Sequence, residues 1–224
     1  MCEQTFTQQQ TNPQLKVYVA NLSKYVEGEL CGDWLNLPTT HNQIKTFLKD
    51  KVKLNARYEE YALHDYESEF RIGEYENIYD LNILAVKLET MSETEKTIAA
   101  AYCNANGLKD TTSILNICTQ IDELLYVELD ADNWGSREEK LGYAMVDNIN
   151  SEIKETLEQC KLGTGLSAYC YFDFEAYGRD TAINEGYFAT DDIFIFSTSK
   201  DLNPKLHTTQ EIKNTLNDPR LEET

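Results

Sequence analysis

Carboxylates recur singly or in pairs through most of this chain, with Tyr, Leu and Ile between them. That spacing constrains the fold more than any motif does. Thirty-nine Asp and Glu stand against 20 Lys and Arg, a net charge of −19. Residues 1–55 are nearly balanced, at a net +1, whereas 56–92, 93–140 and 141–200 each carry −6 and 201–224 adds −2. A disordered acidic tail would gather its charge into one run of like residues. Acids interleaved with apolar residues decorate folded structure instead, and 41% hydrophobic content with 11% aromatics is enough to fill real cores. Such an evenly anionic surface is repelled by nucleic acid and by anionic lipid. It is poor at binding nucleic acid and good at resembling it.

Other classes fall away for lack of patterning. No stretch approaches 18 apolar residues, the length a membrane-spanning helix needs. Residues 1–14 lack a basic region followed by an apolar run, so no secretion signal is expected and the compartment is the cytoplasm. Cys2, Cys31, Cys103, Cys118, Cys160 and Cys170 lie far apart, without the tight spacing of zinc sites or small disulfide frameworks. They read as reduced, packed thiols. His64-Asp65 is a dipeptide of metal hydrolases, but such a site needs further ligands, and only His41 and His207 remain. No metal or cofactor is expected. There is no G-x-S-x-G, H-E-x-x-H or phosphate-cradling glycine loop. Acid pairs such as Asp173 and Glu175 read as solvated, so the chain is expected to be no enzyme.

The local patterns predict an α+β fold. Leu15–Leu22 alternates as a strand, and Leu30–Leu37 is a second extended run ended by Pro38. Thr40-x-x-Gln43 is a capping box opening a helix with Ile44, Phe47 and Leu48. The run Tyr58–Tyr66 alternates, placing Tyr58, Glu60, Ala62, His64 and Tyr66 on one face. Ile78, Leu81, Leu84, Ala85, Leu88 and Met91 form a helical stripe. Ser92-x-x-Glu95 opens a further helix that Asn106-Gly107 stops, and Ile114, Ile117, Cys118 and Ile121 mark a third. Strand character returns at Leu124–Leu129. Helical spacing of Leu141, Met145 and Ile149 follows, then Ile153 and Leu157. Tyr169–Asp180 reads as a short helix with its exit loop. Gly186–Ala189 and Ile193–Phe196 flank a hairpin turn at Thr190-Asp191-Asp192. The expected division is a lead-in at 1–14, an N-terminal α+β domain with a short antiparallel sheet at 15–73, and a central helical bundle at 74–121. A C-terminal α+β domain with a short antiparallel sheet follows at 122–199, and a charged tail at 200–224.

Five strings carry a family likeness: Val17–Tyr25, Glu27–Trp34, Tyr58–Glu67, Ile72–Ile78 and Asp173–Asp180. In order and spacing they resemble the ArdA antirestriction family over about residues 15–198. The resemblance implies an elongated fold of three small domains in line, a homodimer formed through the C-terminal domain, and mimicry of bent B-form DNA. It further implies that the partner is a type I restriction–modification enzyme, whose methyltransferase core is blocked at its DNA-binding groove. On that reading Glu59, Glu60, Asp65, Glu67, Glu69, Glu74, Glu76, Asp80, Glu89, Glu93, Glu95, Asp110, Asp122 and Glu123 stand in for phosphates. The stretch at Leu141, Tyr143, Ala144 and Met145 would lie at the dimer contact. Three domains of about 65 residues span roughly 80 Å and a dimer roughly 160 Å. Duplex of that length carries roughly 95 phosphates, against −38 for two chains of −19 each. The mimic is underdense, so shape and packing must supply part of the affinity. Two other readings compete: an acidic adaptor for another basic DNA-binding protein, and a hydrolase using scattered carboxylates.

Overall fold

The computed structural model describes residues 13–130, 132, 134–163, 165–189, 194–197 and 201–223. The elements begin β1 (Leu15–Asn21), α1 (Leu22–Val26), β2 (Gly32–Leu37), α2 (His41–Asp50), β3 (Tyr61–Glu67), α3 (Ile78–Glu89), α4 (Glu93–Ala105) and α5 (Thr111–Thr119). They continue β4 (Tyr126–Glu128), α6 (Arg137–Ala144), α7 (Ser151–Gln159), α8 (Phe174–Glu185), β5 (Tyr187–Ala189), β6 (Phe194–Ser197) and α9 (Thr209–Leu216). The fold is α+β with two small antiparallel sheets, as the local patterns predict. These elements form two compact units. One takes the described residues up to 96, with 109–118 and those from 204 onward; the other takes 97–108 and 119–203.

In the first unit β1 is the central strand, in the order β2-β1-β3. Leu15, Val17 and Val19 alternate into the core while Lys16 and Tyr18 stay partly exposed, which is why this segment is a strand with one wet face. Helix α3 lies against β2, α2 and α9, and buries Ile78, Leu81, Leu84, Ala85 and Leu88. Both capping boxes form. The Thr40 and Gln43 side chains close the N-terminus of α2, and Ser92 with Glu95 does the same for α4. Helix α4 ends before Gly107, which adopts φ +65°. Asn21 is buried without cost: it caps α1 through Lys24 N at 3.0 Å and donates to the Val52 carbonyl at 3.1 Å.

Strand β3 departs from the expected alternation. It begins at Tyr61, so Tyr58 and Glu60 precede it. Ala62 and Leu63 are both buried, while His64 and Asp65 are both exposed. Pairing with β1 explains this, because Tyr18 faces Asp65 and Val19 faces Leu63. His64 is the extra residue of a β-bulge, and one added residue flips every side chain beyond it.

In the second unit β6 sits between β4 and β5. Val127, Leu129, Leu141, Ala144, Met145 and Ile195 make its core cluster, with Tyr177 and Tyr187 against it. The expected helix through Ile149 is α6 followed by one π turn over residues 145–149. There Asn150 N donates to the Met145 carbonyl at 2.8 Å. The wider turn shifts the stripe, and Ile149 is exposed. The expected hairpin strands pair antiparallel, but the turn Thr190–Asp192 lies outside the described residues.

Candidate functional site

The densest run of acid lies on β3 and its flanks. Glu59 and Glu60 precede the strand, Asp65 and Glu67 lie in it, and Glu69 and Glu74 follow. All six residues are exposed. Register places Glu67 beside Lys16 on β1, and the two pair at 2.8 Å. Asp65 accepts from the Tyr66 N–H at 2.8 Å, which steadies its carboxylate at the bulge.

Beyond this run five of the first unit's other proposed acids, Glu76, Glu89, Glu93, Glu95 and Asp110, have structural partners. Glu76 accepts from the Thr111 N–H and hydroxyl at 2.8 and 2.5 Å, and Asp110 accepts from the Ser113 N–H at 2.9 Å. Both cap α5, where free N–H groups and the helix dipole favour negative charge. Asp80, in the first turn of α3, is half-buried. Burial raises its pKa above the ordinary value, and the Glu76 charge adds to the rise. Glu89 binds the Arg220 guanidinium at 2.5 Å, and Asp218 holds the same group at 2.7 Å. Glu93 pairs with Lys96 at 2.7 Å. Glu95 accepts from the Ser92 N–H and hydroxyl at 2.6 and 2.7 Å, and these bonds hold its carboxyl below the usual range.

Asp122 and Glu123 belong to the second unit, exposed on a 3-10 turn at 121–123. Leu141, Ala144 and Met145 are spent on that unit's own core, Leu141 with no exposed surface at all. Tyr143 alone of the four is partly exposed, stacked on Phe174 at 3.9 Å. Sequence reasoning passed over Glu152, Glu155 and Glu158, which are all exposed on α7. Their spacing of three puts them on one helical face, ~4.5 Å apart along the axis. That periodicity is readable in the sequence, interleaved with the apolar spacing of Ile153 and Leu157.

A cavity of about 330 Å³ is lined by Glu139, Tyr143, Tyr169, Phe172, Phe174 and Glu175, among others. Tyr169 donates to the Asp147 carboxylate at 3.0 Å, and Lys154 pairs with that carboxylate at 3.2 Å. Burial first, then the Asp147 bond, raises the Tyr169 pKa, so the phenol keeps its proton. Among the described residues no group of three or more His, Cys, Asp or Glu is placed to hold a metal ion. None of their helices is long and apolar enough to cross a membrane.

A protein family described as antirestriction protein (ArdA) matches residues 17–196, most of the chain. The chain belongs to the ArdA family. ArdA membership assigns it an antirestriction function and places it among inhibitors rather than enzymes. No curated protein matches it. The ArdA match spans both sheets and includes Gly142 and Gly178, where α6 and α8 touch backbone to backbone.

Proposed function

We propose that this ArdA protein acts as a homodimeric mimic of B-form DNA that occupies the DNA-binding groove of type I restriction–modification enzymes. The observation that carries the reading is the exposed run Glu59, Glu60, Asp65, Glu67, Glu69 and Glu74. Asp65 and Glu67 lie in a three-stranded sheet, and the flanks are tied to it through the Glu60 and Glu74 carbonyls, so the run can hold a geometry as phosphates do. Within the first unit the capping acids Glu76, Glu95 and Asp110, the paired Glu89 and Glu93, and half-buried Asp80 add to that charge, and Asp122 and Glu123 are the second unit's share of the proposed array. The proposed pairing of two protomers is through the C-terminal domain at 122–199. Since Leu141, Ala144 and Met145 fill the protomer's own core, Tyr143 and its exposed neighbours are the proposed dimer contact.

The test is titration of the protein into a type I methyltransferase core bound to labelled target duplex, at two salt concentrations. Displacement that weakens at higher salt is expected, because exposed charges attract through a screened field. Failure to displace at either salt overturns the mimicry and leaves the acidic-adaptor reading, in which another basic DNA-binding protein is the partner.

A further inference from the structure

The last turn of α1 and the turn after it expose apolar side chains where an acidic mimic has no structural use for them. Val26 is 81% exposed and Leu30 is 69% exposed, and Tyr25 beside them is 54% exposed. The backbone here is fastened, not frayed: Gly28 N donates to the Tyr25 carbonyl at 3.0 Å and Glu29 N to the Lys24 carbonyl at 2.9 Å. Side chains brace the same turn. Lys24 pairs with Glu29 at 2.8 Å, the Tyr58 hydroxyl donates to Glu27 at 3.1 Å, and the Tyr25 ring stands edge-on to His64 at 4.7 Å. Apolar groups held rigidly outward lose little conformational entropy on binding, and grouped exposure of this kind marks an interaction surface.

We infer that Val26 and Leu30 are an apolar anchor for the same basic partner groove, seated between its cationic groups; this rests on the mimicry proposed above. Local charge selects the partner. Lys24 and Arg57 are tied to Glu29 and Glu27, and the turn is stitched to the acid run through Leu22 N and the Glu60 carbonyl at 3.1 Å. Lys51, whose carbonyl meets Cys31 next to Leu30, is likewise tied to Asp33, so exposed Glu59 and Glu60 outweigh exposed Lys53 and set the sign beside the anchor. In a self-complementary contact they would meet their own copies and repel. A basic surface with an apolar recess satisfies both features at once. The anchor also supplies part of the affinity that an underdense charge array lacks, and apolar burial is not screened by salt.

The experiment is direct binding of the full-length protein to DNA-free type I methyltransferase core at 0.1 and 0.3 M salt, comparing wild type with the double variant Val26→Ser, Leu30→Ser. Neither substitution changes charge, and both sites are exposed, so an unchanged melting temperature confirms the fold. The anchor predicts at least about tenfold weaker binding by the same factor at both salts, as for loss of an interface hot spot. Wild type that binds with an unaffected double variant overturns the anchor and leaves mimicry standing. Wild type that fails to bind overturns both. Concentration-dependent self-association that the double variant abolishes would assign the patch to a second copy and also overturn the anchor.

Discussion

Two glycines explain one of the family strings in physical terms. An ideal Cβ on Gly178 would lie 1.8 Å from the Glu138 carbonyl oxygen, and one on Gly142 would lie 2.0 Å from that of Phe174. Both obstacles are backbone, so no rotamer change relieves them, and α6 and α8 must separate. Gly178→Ala is expected to destabilise the second unit by about 1–3 kcal/mol or more, read as a lower midpoint in chemical denaturation. An unchanged midpoint would mean the helices part freely. The string Asp173–Asp180 is legible in the sequence but its reason is not, because a helix crossing joins residues some 36 apart in the chain. Residue-scale reasoning was surer where partners are near neighbours. It found Ser92-x-x-Glu95 as a cap while also counting Glu95 among the phosphate mimics. The bonds to Ser92 show how far that carboxylate is engaged at home.

At the scale of elements, local chemistry was legible and non-local register was not. Both capping boxes and the glycine stop of α4 depend on residues within four positions of each other, and all three form. The β3 bulge and the π turn after α6 depend on what packs against them, so alternation and four-residue spacing misplaced the residues around His64 and Ile149. The charged tail at 200–224 reads from sequence as helical in part, bounded by Pro204 and Pro219, but nothing in it marks a docked element. It forms α9, with its own capping box between Thr208 and Glu211, and buries Ile212 and Leu221. Asn116 exchanges two hydrogen bonds with the His207 backbone at 2.8 and 2.9 Å. Arg220 then joins Asp218 to Glu89, and its bond to Asp218 holds that carboxyl below the ordinary 3.8. A carboxyl depressed in the folded state contributes stability that is complete above its unfolded value and lost as pH falls through the folded one. Arg220→Met is therefore expected to lower the melting temperature at pH 7. The gap to wild type should shrink below about pH 4 and close once Asp218 is protonated in both states. A gap that is constant with pH would show that Arg220 acts through packing alone.

For the molecule as a whole, the charge of −19 acts in opposite directions on folding and on inhibition. Like charges on one compact surface repel, so screening relieves the folded state. The same screening weakens attraction to a basic groove. Between 0.1 and 0.5 M salt the melting temperature is expected to rise while inhibition of a type I enzyme falls. Parallel movement of the two would mean that charge is incidental to binding. The distribution of the acid also predicts how function responds to mutation. Each carboxylate of the Glu59–Glu74 run contributes a small share of a summed field, and exposed pairs are individually worth ~0.2–1 kcal/mol. Neutralising one, as in Glu59→Gln or Glu74→Gln, is expected to change inhibition by less than about fivefold. Neutralising eight or more of the acids proposed above should abolish it, with the fold retained because the exposed ones cap nothing. Glu76, Glu89, Glu95 and Asp110 are excluded from that set, since their loss would uncap helices or break the Arg220 bridge and confuse the two effects. If one exposed substitution abolishes inhibition while its neighbours do nothing, recognition is centred on a single contact, and the distributed mimic is the wrong description.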